Sequence, residues 1–304
     1  MTFQVPQFGA DFVNRVVKRV ECLITLNLWD IPKDRFEGWL RQFHTDEEQF
    51  FAACVLDSLI YRSKAQFVAS VEALFRGQLP SALRNLLGSD SDFALVQALR
   101  GATDPGIRLV PVIKAKDPPT KSGPLVLRKI QKRLELFDRW TIWPWDVSLA
   151  IQTQNVKAII FVDDFLGSGD QFTQFLQSQN LPTAHPGIEW IYAPVIASRE
   201  GMGLLRSVQP TIKVVTAEVL EDTHKFFCAK NWELLTSGAI AENDAKAFYL
   251  ELLKRKGLDF PSFEFGYSDM ELCIGLEHSS PDNSLPILWH KGETWTSLFD
   301  PRPL

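Results

Sequence analysis

Residues 156–171 place two adjacent carboxylates directly before a glycine-rich turn. An apolar run that begins at Val156 leads into Asp163 and Asp164, and the Gly-Ser-Gly turn at 167–169 precedes an amphipathic helical pattern. An apolar run of this length predicts a strand buried in a parallel sheet. The turn would then lie at the N-terminus of a helix on the carboxyl edge of the sheet, where open α/β folds bind their ligands.

This turn has the chemistry of a phosphate site. Free backbone amides and the helix dipole favour an anion at a helix N-terminus. Gly167 and Gly169 would let a phosphate approach the backbone closely, and Ser168 adds a hydroxyl donor. Asp163 and Asp164 would repel that anion unless they face sugar hydroxyls or a divalent cation. Both arrangements fit a ribose phosphate.

The same stretch resembles the phosphoribosyl pyrophosphate (PRPP) motif of type I phosphoribosyltransferases, in which an apolar strand, an acidic pair and a small-residue loop follow one another. The resemblance implies that Asp163 and Asp164 are the catalytic residues, that they hold the ribose hydroxyls and that they bind Mg²⁺ as cofactor. It also implies a substrate loop for the 5′-phosphate, formed by Gly167, Ser168, Gly169, Asp170 and Gln171. Gln171 stands where the motif has Ser or Thr, and Asp170 adds a negative charge.

Other ligand motifs fit this stretch less well. A nucleoside triphosphatase is disfavoured because the chain has no G-x-x-x-x-G-K-[ST] motif. The turn lacks the third glycine of a dinucleotide-binding fingerprint, and Gly201-Met202-Gly203 is only a fragment of one. A response-regulator pocket would have its acidic pair on an earlier strand. A purely structural turn, of the kind that Gly, Ser and Asp often build, stays open as an alternative.

A second candidate is the basic segment 114–133, in which Asp117 is the one acidic residue. By resemblance to the same enzymes, Lys121, Ser122 and Gly123 would form the loop that binds pyrophosphate. Lysine would neutralise charge, and the backbone around Ser122 and Gly123 would enclose an oxygen. A solvated basic helix that follows a flexible proline-rich segment explains the same residues as well.

A third candidate is His278, in a polar loop bordered by proline near the C-terminus. Loops that follow strands often carry substrate contacts, and an imidazole can titrate near neutral pH. The sequence therefore makes His278 a candidate substrate-binding residue, although a lone histidine is more often structural.

The pattern of elements indicates an α/β protein with a helical N-terminal domain. Apolar residues recur at helical spacing through about residues 11–87, and a polar break follows at 88–92. Beyond the break, β-branched runs alternate with helical segments, which is typical of a mainly parallel sheet flanked by helices. Strands are predicted at about 108–113, 156–162, 188–196, 211–216 and 271–276. The predicted domains are 1–92, helical, and 93–304, α/β.

Composition limits the classes of protein that remain. The chain has 304 residues, of which 45% are hydrophobic, and a formal net charge of −5. This balance is that of a globular protein, and it gives no overall attraction to nucleic acid or anionic lipid, so direct nucleic-acid binding stays open only through a local patch. No run of about 18 apolar residues predicts a membrane span, and the four scattered cysteines are expected to be reduced and buried. We therefore expect a cytoplasmic protein.

The whole chain resembles the phosphoribosyltransferase-like effector family of bacterial conflict systems. The resemblance rests on Trp39-Leu40 with Phe43, on the stretches 121–124 and 161–169, and on the tail Pro281-Asp282-Asn283-Ser284-Leu285-Pro286-Ile287-Leu288-Trp289. It implies a type I phosphoribosyltransferase fold and a role in antiphage defence, with partner proteins from the defence system, beside a retron reverse transcriptase in some relatives.

The activity that the resemblance implies is transfer at the anomeric carbon of PRPP, or a related glycosidic exchange, with Mg²⁺ and a nitrogen nucleophile. The alternative is a non-catalytic sensor or scaffold that binds a ribose phosphate or nucleotide and signals through the helical domain. The sequence does not identify the acceptor.

Overall fold

The computed structural model describes residues 3–89, 91–179, 181, 185, 187–258 and 260–299. The helices in chain order are α1 (Gly9–Thr25), α2 (Lys33–Leu40), α3 (Asp46–Asp57), α4 (Lys64–Ala73), α5 (Leu79–Ala82), α6 (Arg84–Leu87), α7 (Ala94–Arg100), α8 (Ser122–Leu134), α9 (Val147–Thr153), α10 (Asp170–Gln179), α11 (Arg199–Val208), α12 (Ala229–Thr236) and α13 (Glu242–Arg255). The strands are β1 (Ile60–Arg62), β2 (Ile107–Pro111), β3 (Ala158–Leu166), β4 (Glu189–Ser198), β5 (Ile212–Val214), β6 (Glu218–Leu220) and β7 (Ile274–Leu276).

The chain divides into two compact units, and the first of them is discontinuous. One unit comprises Met1–Ala65 and Glu221–Leu304, and the other comprises Gln66–Leu220. The sequence predicted a single boundary at residue 92 instead. That boundary falls inside the continuous unit, between the end of α6 at Leu87 and the start of α7 at Ala94.

The continuous unit is built on a parallel sheet. Its strands lie in the order β2-β3-β4-β5, and β6 also pairs with β4. Every pairing in this sheet is parallel, as the long connections through helices require. The parallel sheet with flanking helices confirms the predicted α/β class.

Four of the predicted strands lie within two or three residues of β2, β3, β4 and β5, but β3 continues beyond its predicted end. It runs to Leu166, which pairs with Ala197 of β4, and all its residues are buried. Side chains from β3 and α10 form the core beside it, where the rings of Phe161 and Phe172 meet edge to face at 5.6 Å. The amphipathic pattern of 170–179 thus forms a helix whose apolar residues lie against the sheet.

The discontinuous unit joins the first helices of the chain to its last segment. Phe51 of α3 stacks on Tyr249 of α13 and packs against Trp232 of α12. The strands β1 and β7 form a second, two-stranded parallel sheet. The predicted strand at 271–276 therefore pairs with a three-residue strand that the sequence pattern did not predict.

Two further expectations from the sequence concern membrane-spanning helices and the cysteine thiols. Within the described ranges, no helix is both long enough and apolar enough to cross a lipid bilayer. All four cysteines are free, but Cys22 is exposed on α1 and Cys228 is only partly buried. The expectation of burial holds for Cys54 and Cys273 alone.

Candidate functional site

The acidic pair lies inside β3 rather than after it. Asp163 is paired in register with Pro194 of β4, and the ladder continues for three residues beyond it. Asp163 and Asp164 are each only 2% exposed. Burial at this depth obliges both carboxyl groups to find hydrogen-bond partners within the protein.

Asp163 has partners on both of its carboxylate oxygens. The backbone N–H of Asp164 donates to Oδ1 at 3.0 Å, and the Tyr192 hydroxyl donates to Oδ2 at 3.2 Å. The Ser122 hydroxyl, at the start of α8, lies 3.5 Å from Oδ1. Tyr192 is itself held by Phe172, whose ring stacks on it with centroids 3.7 Å apart. Three elements, β3, β4 and α8, therefore fix the orientation of one carboxyl group.

The surroundings of Asp163 favour its neutral form. Burial, and after it the adjacent Asp164 carboxylate, raises the pKa of Asp163 well above its usual range. The hydrogen bonds from the Asp164 amide and from Tyr192 oppose this rise. Burial also raises the pKa of Tyr192, so its phenol stays protonated and remains a donor to Asp163.

The pair is compatible with a magnesium ion that is bound together with a phosphorylated substrate. Asp164 Oδ1 accepts a hydrogen bond from the Phe165 amide at 3.0 Å. In the part of the chain that the structure describes, no three His, Cys, Asp or Glu side chains cluster as metal ligands. Mg²⁺ is often held by one or two carboxylates while substrate phosphates and water complete its shell. Asp164 fits that arrangement as the one protein ligand of the pair, because both oxygens of Asp163 already accept hydrogen bonds within the protein.

The glycine turn is held by the start of α11. Ser198 caps that helix: its hydroxyl accepts from the Gly201 amide at 2.9 Å and donates to the Gly167 carbonyl at 2.7 Å. A Cβ atom at Gly201 would lie only 2.0 Å from the Gly167 oxygen. Gly169 has a φ of +95°, which strongly favours glycine. These contacts fix the shape of the turn.

The predicted phosphate loop has an acidic group of its own. The Ser168 hydroxyl donates to the Asp170 carboxylate at 2.8 Å, and Ser168 is buried. Asp170 is the first residue of α10, and Thr173 in the same turn hydrogen-bonds the Gly169 carbonyl. Gln171 is exposed. The carboxylate of Asp170 thus interacts favourably with the N-terminal dipole of α10, where the sequence analysis expected a phosphate.

The second candidate segment lies beside the acidic pair. Lys121 immediately precedes α8, and Ser122 begins it within reach of Asp163. Gly123 packs on the end of β2, since a Cβ there would lie 2.5 Å from the Val112 oxygen. The structure therefore brings the Lys121–Gly123 turn and Asp163 together at one place in the continuous unit.

His278 belongs to the discontinuous unit, where it follows β7. Its side chain is largely buried, and Nδ1 lies 3.6 Å from Glu277 Oε1. Its predicted contact with substrate stays a prediction.

Sequence reasoning missed two residues of the site, Tyr192 and Ser198. A tyrosine in an apolar strand is ordinarily assigned to the core, and only the register of β4 against β3 shows that its hydroxyl reaches Asp163. Ser198 could have been predicted from the sequence. A serine whose hydroxyl accepts a hydrogen bond from the amide three residues later, here that of Gly201, is a common helix N-cap.

Comparisons with known proteins identify the family of the chain. A family model described as PRTase-CE, in which PRTase denotes phosphoribosyltransferase, matches residues 36–300. Among solved structures, orotate phosphoribosyltransferase from Aeropyrum pernix is similar, with 15% identity and a TM-score of 0.25 over 56% of this chain and 98% of that one. No curated protein matches the chain. The family match and the parallel sheet confirm the predicted phosphoribosyltransferase-like fold.

Proposed function

This chain belongs to the PRTase-CE family, and on that premise we propose that its continuous unit binds PRPP or a related ribose phosphate with Mg²⁺ and transfers the ribosyl group at the anomeric carbon. One observation carries the proposal. The buried acidic pair, the glycine turn and the Ser122 turn converge at the carboxyl edge of a parallel sheet, which is the ligand-binding edge of open α/β folds.

The residues would divide the work by position. Asp164 would face the ribose hydroxyls, because it lies one residue closer to the glycine turn than Asp163, whose two oxygens both accept hydrogen bonds within the protein. Asp163 would act as a positioning residue that fixes the strand backbone beneath Asp164. The turn at 167–169 would bind the 5′-phosphate through backbone amides, and Lys121 with Ser122 would contact the pyrophosphate.

The proposed reaction needs no proton transfer by either aspartate. The bond between the anomeric carbon and the pyrophosphate oxygen breaks, and pyrophosphate leaves with the electron pair. A nitrogen nucleophile then bonds to the carbon and loses its proton to solvent. Positive charge develops on the ribose in the transition state, and the negative charge of Asp164 would stabilise it. Mg²⁺, held by Asp164 and the substrate, would neutralise the leaving pyrophosphate.

The test of the activity is release of pyrophosphate from PRPP and Mg²⁺ across a panel of nitrogen acceptors. We expect release by the wild-type protein and loss of at least about 100-fold in Asp164→Asn, the range for removal of one electrostatic contact to a transition state. Asp34→Asn, the same charge change on the exposed surface of α2, is the matched control. Equal rates in the two variants would remove Asp164 from the mechanism.

A second function, a sensor that binds a ribose phosphate without turnover, is favoured by the Ser168–Asp170 hydrogen bond. A carboxylate at the start of α10 weakens the attraction of the loop for a 5′-phosphate. The sensor would bind PRPP or a nucleotide, release no pyrophosphate with any acceptor, and gain turnover in Asp170→Thr if that carboxylate is the cause.

The proposal extends to a biological setting. The resemblance of the sequence to effectors of bacterial conflict systems suggests antiphage defence with a partner such as a reverse transcriptase complex. Expression in bacteria challenged with phage, wild type against Asp164→Asn, tests this role. Equal phage growth in both strains would argue against a defence function that depends on this site.

A further inference from the structure

A cavity of about 670 Å³ lies along one side of α8, in the continuous unit. Its walls are α8, the chain that follows it from Leu136 to Trp143, and Pro111 at the end of β2. Neither the acidic pair nor the turn at 167–169 lines it. Its volume is in the range of cavities that hold small organic ligands. It is therefore a candidate binding site distinct from the one already described.

The basic residues of α8 differ in their partners from one side of the helix to the other. Arg133 pairs with Glu72 at 3.0 Å, and Lys129 lies over the Phe67 ring at 5.3 Å. Arg128 and Lys132 line the cavity. Neither has an ion pair or hydrogen bond with the described ranges of the chain. Since they are one helical turn apart on the same face, their positive charges would act together on an anion in the cavity.

The cavity also has an aromatic surface. Trp143 lines the cavity, and Trp145 stacks on it with centroids 5.2 Å apart and planes 9° from parallel. Both rings are nearly half exposed, at 45% and 49%. Tryptophan rings are usually well buried, so an exposed stacked pair beside unpaired cations points to a planar ligand. Stacking on such a ring contributes strongly to base binding.

We propose that this cavity, which we call the α8 groove, binds a nucleoside phosphate. The base would stack on Trp143, and the phosphate would lie between Arg128 and Lys132. Asp138, which also lines the groove, would accept hydrogen bonds from a ribose hydroxyl or an exocyclic amine. The net charge of −5 favours a free nucleotide over a nucleic-acid strand as the occupant. The inference does not rest on the proposed transferase activity.

Calorimetric titration of the full-length protein with AMP tests the assignment. The titration is made in the Asp164→Asn background, because a ribose-phosphate site would bind AMP as well. We expect Arg128→Gln and Trp143→Ala each to weaken AMP binding by about tenfold or more, the loss of one charge-assisted contact or one stacked base. Arg133→Gln is the matched control: it removes the same charge from the same helix outside the groove, and AMP binding should not change.

Probes that carry half of the ligand distinguish the contributions. Adenosine has no phosphate, so Arg128→Gln should not weaken its binding. Inorganic phosphate has no base, so Trp143→Ala should not weaken its binding. Thermal unfolding of each variant shows that the fold is retained. The assignment is overturned if AMP does not bind, if Arg128→Gln and Arg133→Gln weaken it equally, or if a ten-residue oligo-dA binds where AMP does not.

Discussion

At the scale of single residues, the central feature is the buried carboxyl group of Asp163, to which the described ranges of the chain supply neutral donors. Asp163 is 2% exposed, and its partners are a backbone amide, a phenol and a serine hydroxyl. The amide and the phenol favour the ionised form of the carboxyl group, but burial outweighs them and raises the pKa of Asp163. The adjacent Asp164 makes a second negative charge unfavourable. Asp163 is thus suited to hold structure while Asp164 meets the ligand.

The raised pKa of Asp163 predicts a stability that changes with pH. Between the pKa of an unfolded aspartate, about 3.9, and the raised pKa of native Asp163, the folded chain holds a proton that the unfolded chain has lost. The stability contributed by this group therefore falls as pH rises through that window. Because Asp163→Asn has no proton to lose, its free energy of unfolding relative to wild type should increase from about pH 5 to about pH 8.

Urea unfolding at the two pH values measures this difference. The variant retains Tyr192 and Asp164, the titratable groups in contact with Asp163. A relative stability of Asp163→Asn that decreases with pH would mean that the native protein holds Asp163 as a stabilised carboxylate, and the positioning role assigned to it would be wrong.

At the scale of elements, the shape of the ligand turn depends on a neighbouring helix. The N-terminus of α11 lies so close to the turn that only glycine fits at position 201, and the Ser198 hydroxyl joins the two. A phosphate site made of backbone amides needs those amides in fixed positions. The helix that follows β4 therefore shapes the turn that follows β3.

This dependence predicts opposite effects for two glycines of one helix. In Gly201→Ala the new methyl group collides with the Gly167 carbonyl, so we expect a loss of about 1–3 kcal/mol in unfolding free energy, as for other overpacked sites, and loss of PRPP binding. In Gly203→Ala nothing lies within 4 Å of the new methyl. That variant should gain about 0.5–1 kcal/mol from helix propensity.

Thermal unfolding of the two alanine variants, with and without PRPP, separates the effects. Gly203→Ala controls for the general consequence of adding a methyl group to α11. Full PRPP binding in Gly201→Ala would show that the turn does not need this packing to bind its ligand.

The sequence was informative where the signal is local. The apolar run of β3, the glycine turn and the apolar face of α10 all depend on neighbours within a few residues, and all were predicted. The end of β3 was not predicted, because two adjacent aspartates are typical of a loop. Only the contacts of Asp163 with Tyr192 on β4 and Ser122 on α8 show that this part of the chain is buried. The three-residue strand β1 was missed for the same reason: its pairing partner, β7, lies more than 200 residues away.

At the scale of the whole molecule, the chain leaves one unit and later returns to it. The core that contains Phe51 also contains Trp232 and Tyr249. A sequence pattern shows which residues are apolar but not which distant segments share a core. The predicted boundary at residue 92 therefore follows a real change of composition, but it does not separate the two compact units.

The discontinuous unit predicts which fragments fold. A fragment of residues 93–304 keeps Trp232 and Tyr249 but lacks Phe51, so about half of that core would be exposed. We expect it to aggregate or to unfold without a cooperative transition. A fragment of residues 66–220 keeps the whole continuous unit and should unfold cooperatively. Circular dichroism during heating compares the two. The division would be contradicted if the 93–304 fragment unfolds cooperatively and the 66–220 fragment does not.

The most direct test of the central claim is thermal unfolding of the full-length protein with PRPP and Mg²⁺. A ligand that binds only the folded state stabilises it by mass action, by about 2.7 kcal/mol at 100 times its Kd, which corresponds to several degrees in Tm. We predict this rise for the wild type and for Asp34→Asn, and none for Asp164→Asn. Unchanged Tm in all three folded proteins, or an equal rise in all three, would contradict the assignment of the ribose-phosphate site.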